Sequence, residues 1–128
     1  MKDYVPTKGK YVIPKTVWNR TLWLVRDYDR MKLEADVILT SFGGSIITAG
    51  GTSGVPDPVA RKAILRSNYL EAIRAIERSL EDIPECYRKG IWNSIQHRDR
   101  YPLDADRTTY SRYKQRYIER VAEAMHYI

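Results

Sequence analysis

The fold is decided by residues 14–40, which read PKTVWNRTLWLVRDYDRMKLEADVILT. Proline suits the first turn of a helix, because its missing N–H has no intrahelical partner there in any case. Apolar or weakly polar side chains then recur in alternating steps of four and three, the period of an amphipathic helix. They are Val17, Thr21, Leu24, Tyr28, Met31, Ala35 and Ile38. The stretch predicts one helix over residues 15–40, roughly 39 Å long at about 1.5 Å per residue.

Three more helices are predicted downstream, over residues 57–80, 84–96 and 108–125, and Thr108 or Thr109 is the predicted N-cap of the last one. The first of them begins with an Asp-Pro pair, which is typical of an N-cap followed by the first helical position. Gly90 lies inside the second and weakens it by about 1 kcal/mol relative to alanine. The sequence therefore predicts an all-α fold. We expect a helical bundle of about four helices in a single domain over residues 1–128.

The segments between the helices have the composition of loops. Residues 41–56 contain five glycines, which predicts a Gly-rich loop. Residues 97–107 contain Pro102 and three aspartates, so we expect a second loop there. Residues 1–13 are either a flexible arm or a segment that includes a short strand at Tyr11-Val12-Ile13.

Charge and composition limit the classes of function. The chain carries 22 basic and 16 acidic groups, a net charge of +6 that favours polyanionic partners. It contains no apolar run of membrane-spanning length, and its first residues lack the apolar segment of a signal peptide. Cys86 is the single cysteine, so no disulfide can form within the chain. We expect a cytoplasmic protein that does not associate with membranes.

The residues needed for catalysis or metal binding do not cluster in the sequence. The chain has two histidines, His97 and His126, and neither lies in a recognisable catalytic context. One cysteine and two distant histidines cannot supply the four ligands of a zinc site. The Gly-rich loop lacks the lysine of a phosphate-binding loop and follows a helix rather than a strand. We therefore expect no enzymatic activity, no metal and no cofactor.

The final helix carries the pattern that points most directly to a function. Arg112, Arg116 and Arg120 are spaced by four and line one face of that helix. Basic side chains neutralise DNA phosphates, and hydroxyl groups near a helix N-terminus bond phosphate oxygens. The same pattern is also typical of a solvated amphipathic helix with a basic face. The candidate DNA-binding residues are Arg107, Thr108, Thr109, Ser111, Arg112, Lys114, Gln115, Arg116 and Arg120.

The tyrosines of this helix divide by position. Tyr110 and Tyr117 fall on its apolar stripe and are expected in the core. Tyr113 lies off the stripe and is expected to be exposed, where it could stack on a base.

Several runs of the chain resemble a group of small bacteriophage proteins. They are YVIP (11–14), TLW (21–23), RDY (26–28), RMK (30–32), IPE (83–85), YRKGIWN (87–93) and TYSRYKQRYI (109–118). The last run, with Val121-Ala122 behind it, also resembles the end of the RinA/ArpU-like phage transcriptional regulators. That resemblance implies control of late, morphogenetic phage genes by a protein that binds double-stranded DNA near the nucleoid of the bacterial host.

The resemblance also implies a DNA-binding site. It places Thr109, Arg112, Lys114 and Arg116 at the DNA, on a helix-turn-helix-like pair over residues 84–128. A homodimer would present two such pairs to paired half-sites. Backbone clamps would come from Lys8, Lys10, Lys15 and Arg20.

Residues 97–107 depart from the helix-turn-helix pattern, in which three or four residues join the helices. The C-terminal pair is therefore either a modified unit or a helical hairpin that does not bind DNA. Two other functions stay open: a DNA-packaging component similar to a small terminase subunit, and a helical interaction or scaffold protein without DNA binding.

Overall fold

The computed structural model describes residues 13–41 and 58–128, and in these two ranges the chain is all-helical, with five α-helices and no strand. The prediction of an all-α fold is confirmed. The helices are α1 (Lys15–Arg26), α2 (Tyr28–Ser41), α3 (Pro58–Glu81), α4 (Glu85–His97) and α5 (Arg107–Ala124).

The prediction of a single uninterrupted first helix is wrong at Asp27, which separates α1 from α2. The cause lies in a helix far along the chain. The side-chain amide of Gln96 donates to the carbonyl of Val25 at 2.7 Å, and Arg26 Nε donates to the carbonyl of Ile95 at 2.7 Å. Carbonyls at a helix C-terminus have no intrahelical donors, so this reciprocal capping stabilises the ends of α1 and α4 together.

The core lies where α1, α4, α5 and the second half of α3 meet. Its buried side chains include Trp18, Leu22 and Val25 of α1. From the other helices come Ala72, Ile73, Ile76, Ile91, Ile95, Tyr110, Tyr117, Ile118 and Val121. The hydroxyl of Tyr117 donates to the carbonyl of Ile76 at 3.1 Å, which satisfies a buried polar group and ties α5 to α3.

Residues 98–106 form a loop packed on the helices it connects. Arg98 ends α4 in the left-handed conformation, with φ of 56°. Pro102 then packs against Gly90, where a Cβ would lie 2.7 Å from Pro102 Cδ and 2.8 Å from Tyr110 Cε1. Gly90 therefore costs helix propensity but permits the close approach of this loop. The α4–α5 connection is this packed nine-residue loop, longer than the turn of a helix-turn-helix.

Helices α2 and α3 pack against each other along α2. Met31, Ala35 and Ile38 of α2 are buried, and Arg66 Nε of α3 donates to the carbonyl of Ala35 at 3.1 Å. The first half of α3 does not reach the core. Its residues Ala60, Ala63, Ile64 and Ser67 continue the helical period but are exposed.

Some predictions fall on residues that the structure does not describe. They are the possible arm over residues 1–12, the clamps Lys8 and Lys10, and the Gly-rich loop beyond Ser41. Within residues 13–41 and 58–128, no helix is both long and apolar enough to cross a membrane.

Candidate nucleic-acid interface

Helix α5 is amphipathic and has its apolar side fully covered. Tyr110, Tyr117, Ile118, Val121 and Ala122 have no exposed surface. The prediction that Tyr110 and Tyr117 belong to the core is confirmed. Burial away from water disfavours the phenolate and raises the pKa of Tyr117 well above its ordinary value. Such an anchored inner side fixes which residues α5 presents to solvent.

The opposite side of α5 presents the arginine ridge, formed by Arg112, Arg116 and Arg120. All three side chains are exposed. No carboxylate in the described ranges lies within salt-bridge distance of any of them. Exposed guanidinium groups on successive turns, with no carboxylate of the described residues within salt-bridge distance, are available to a polyanion.

Acidic residues adjoin one end of the arginine ridge. Glu119 and Glu123 lie on the same side of α5 and within one turn of Arg120. Partial burial and the charge of Glu123 raise the pKa of Glu119, while Arg120 and Arg116 act in the opposite direction. Arg112 has no acidic residue within four positions on either side. Arg112 is therefore the arginine of the ridge that lies farthest from the carboxylates of its own helix.

The remaining candidate residues are dispersed around the amino half of α5. Arg107 and Thr108 are exposed, whereas Thr109, Ser111 and Gln115 are half-buried. Lys114 is half-buried and its ammonium donates to Ser94 Oγ at 3.3 Å, so it is directed at α4 rather than along the ridge. The structure thus brings Thr108 and the three arginines onto one side and leaves Lys114 on another.

Two local predictions for α5 are wrong. The N-cap position is Asp106, without a side-chain capping hydrogen bond, rather than Thr108 or Thr109, because α5 already begins at Arg107. Tyr113 is half-buried rather than exposed, since its ring stacks on Tyr87 with centroids 5.1 Å apart. Aromatic stacking of this kind favours a structural position over a free base-stacking platform.

The carboxyl end of α5 turns back toward α1. The N–H of Tyr127 bonds the carbonyl of Ala122 at 2.9 Å, and that of His126 bonds Glu123 at 3.0 Å. With His126 at φ of 60°, this is a Schellman motif with histidine in place of the usual glycine. It places the Tyr127 ring under Arg20, whose guanidinium carbon lies 3.9 Å from the ring centroid.

A groove with a volume of about 510 Å³ opens beside this contact, and the sequence pattern did not identify it. Trp23 is 60% exposed there, and Arg26 lies over its ring at 5.1 Å. In the sequence, the one feature that could have indicated this groove was the position of Trp23 outside the apolar stripe of α1. The lining residues are Arg20, Trp23, Leu24, Arg26, Asp27 and Tyr127.

Within the described residues, no group of three or more His, Cys, Asp or Glu could hold a metal ion. Comparisons with protein-family models, with curated proteins and with solved structures find no match to this chain. A proposal for the function therefore depends on the exposed side chains.

Proposed function

We propose that this chain binds double-stranded DNA through the arginine ridge of α5. The observation that carries the proposal is that Arg112, Arg116 and Arg120 are exposed, lie on successive turns and have no carboxylate within salt-bridge distance in residues 13–41 and 58–128. Guanidinium groups bind phosphates with paired hydrogen bonds and release condensed counterions. The net charge of +6 favours the same class of partner.

The neighbouring groups support this use of α5. Arg107 and the hydroxyl of Thr108 lie in its first turn, where backbone N–H groups and the helix dipole favour anions. Arg112 is the arginine farthest from Glu119 and Glu123, so its removal should weaken binding most. The buried face of α5 holds the ridge rigid, which lowers the entropy cost of making several phosphate contacts at once.

The biological role that we propose is regulation of late phage genes in the bacterial host cell, as the resemblance to RinA/ArpU-like regulators implies. Such a regulator would act as a homodimer. Five of the eight exposed large hydrophobic side chains in the described ranges lie on α2 or in the first half of α3, which favours these helices as the dimer surface. They are Leu33, Val37, Leu39, Ile64 and Leu65.

The test is a gel-shift titration with duplex DNA from upstream of the late or packaging genes, at several salt concentrations. The double variant Arg112→Gln/Arg116→Gln should reduce the slope of log affinity against log salt by about 2, one for each lost phosphate contact. The matched control is Arg74→Gln/Arg78→Gln, which removes the same charge from two exposed arginines spaced by four on α3.

Equal salt slopes for the two double variants would show that the ridge is not the contact surface. The mass of the native assembly separates the roles: a dimer supports a regulator, and a ring of many subunits supports a packaging component. A chain that binds no duplex at any salt concentration would be a helical interaction protein.

A further inference from the structure

We propose a second nucleic-acid site at the groove between α1 and the C-terminal residues, which binds unpaired nucleotides with Trp23 as the stacking platform. This inference goes beyond duplex binding by α5, because its side chains lie outside that helix. It stands on three observations: an exposed indole, a second aromatic ring nearby, and guanidinium groups beside both rings.

The indole of Trp23 differs from the other two in the chain. Trp18 is buried in the core, and Trp92 is half-buried with Tyr28 packed edge-on at 5.2 Å. Trp23 is 60% exposed. An exposed indole has a large apolar face in water, and stacking a base on it removes that face from solvent.

The charge of the groove is complementary to a phosphodiester. Arg20 and Arg26 line it, and Asp27 is the one carboxylate among the lining residues. Asp27 is already neutralised by Arg30, which donates from both Nε and a terminal nitrogen to its two oxygens at 2.7 Å. Because Arg30 pairs with this carboxylate, Arg20 gives the groove a positive charge.

The aromatic and guanidinium groups of the groove are complementary to the bases and phosphates of a nucleotide chain. Arg26 lies over Trp23 at 5.1 Å and Arg20 over Tyr127 at 3.9 Å, so each of the two aromatic rings has a guanidinium group beside it. A single strand likewise offers a phosphate beside each base. Bases in a duplex are stacked on one another and offer no free face to an indole, so the site selects unpaired nucleotides.

The test uses fluorescence anisotropy of a labelled short oligothymidylate with the full-length protein. Trp23→Ala should weaken binding by about tenfold or more, the size of one lost base-stacking contact. Trp23→Phe keeps a ring and should recover part of the affinity. Arg20→Gln should lower the salt slope by about 1. Quenching of the native tryptophan emission by oligothymidylate should be lost in Trp23→Phe.

Two control variants test whether the effect is specific to the groove. Leu103→Ala removes an apolar side chain that is fully exposed but lies in the α4–α5 loop outside the groove, and it should leave oligothymidylate affinity unchanged. The ridge variant Arg112→Gln/Arg116→Gln should lose duplex affinity while keeping the Trp23-dependent quenching. Failure of the duplex proposal and failure of this one are thereby separate outcomes.

Wild-type oligothymidylate affinity in both Trp23→Ala and Trp23→Phe would overturn the proposal. So would polyglutamate that binds as tightly as oligothymidylate with the same dependence on Trp23, since the groove would then be a site for acidic peptides. Circular dichroism melting shows whether each variant is folded. If Trp23→Ala does not fold, Trp23→Phe and Arg20→Gln decide the result.

Discussion

Two regions of the molecule differ in how much of their apolar surface they bury, although both consist of amphipathic helices. One is the bundle of α1, α4 and α5. The other is the outer part of the α2–α3 pair, which carries Leu33, Val37, Leu39, Ile64 and Leu65. Ile91 and Ile95 in the bundle have no exposed surface. Ile64 on α3 is 61% exposed and Leu33 on α2 is 63% exposed. A helical period predicts that one side of a helix is apolar, and the tertiary arrangement decides whether anything covers that side.

The contrast separates two roles within one chain. The bundle is closed by tyrosine packing, reciprocal helix capping and the packed loop over residues 98–106, so it holds α5 in one orientation. The outer part of the α2–α3 pair leaves aliphatic side chains in water, which is typical of a surface that another protein copy covers. Matched substitutions in the two regions test this division directly.

The largest effect is expected for Ile91→Ala in the bundle. Removing a fully buried isoleucine loses its transfer free energy and leaves a cavity, which should lower the free energy of unfolding by about 2–5 kcal/mol. Urea unfolding followed by circular dichroism measures it. A decrease of less than about 1 kcal/mol in the free energy of unfolding would mean that α4 does not pack in the core through Ile91.

Gly90→Ala should come next. The new Cβ would clash with the rigid rings of Pro102 and Tyr110, at 2.7 and 2.8 Å. Overpacking costs about 1–3 kcal/mol, and the gain in helix propensity of about 1 kcal/mol offsets part of it. We expect a net loss of about 1 kcal/mol in urea unfolding. A stabilised variant would show that residues 98–106 do not pack on α4.

Tyr110→Phe should cost about 1 kcal/mol at neutral pH, because it removes the hydrogen bond from the hydroxyl to Asp104 at 2.5 Å. The substitution should also change how the free energy of unfolding depends on pH. Burial and that hydrogen bond raise the pKa of Tyr110 from 10.0 to about 12. The unfolded chain then loses this proton first, so stability from Tyr110 is intact below pH 10 and falls as pH rises toward 12.

Urea unfolding from pH 8 upward measures that loss as the difference between the wild type and Tyr110→Phe. The wild type should approach the variant in stability as pH rises from 10 toward 12. A constant difference across this range would contradict the coupling of Tyr110 to the fold.

The smallest effect on the monomer is expected for Ile64→Ala, within about 0.5 kcal/mol, because the side chain is mostly in water. In a dimer joined through α2 and α3, the same variant should raise the dissociation constant about tenfold, measured by analytical ultracentrifugation. A loss as large as that of Ile91→Ala, measured at a concentration where the chain is monomeric, would mean that Ile64 is covered within its own chain.

The sequence predicted where the helices lie, but it did not predict which side chains make contacts between them. Steps of three and four located the helical segments of residues 13–41 and 58–128, and the ends of α3 and α4 fall within one residue of the predicted bounds. The interruption at Asp27 was missed, because the groups that cap Val25 and Ile95 come from helices about 70 positions apart. For the candidate site, spacing by four identified the arginine ridge, but it could not show that Lys114 turns to Ser94.

By itself, the order of residues determined the helical periods, the surplus of positive charge and the alignment of Arg112, Arg116 and Arg120 on one side of α5, because these depend on local backbone geometry. Only the tertiary structure decided which apolar sides are covered, why position 90 is glycine, and that Trp23 lies in a groove beside Arg20 and Tyr127. Those features arise from contacts between distant segments, and local periodicity contains no information about them.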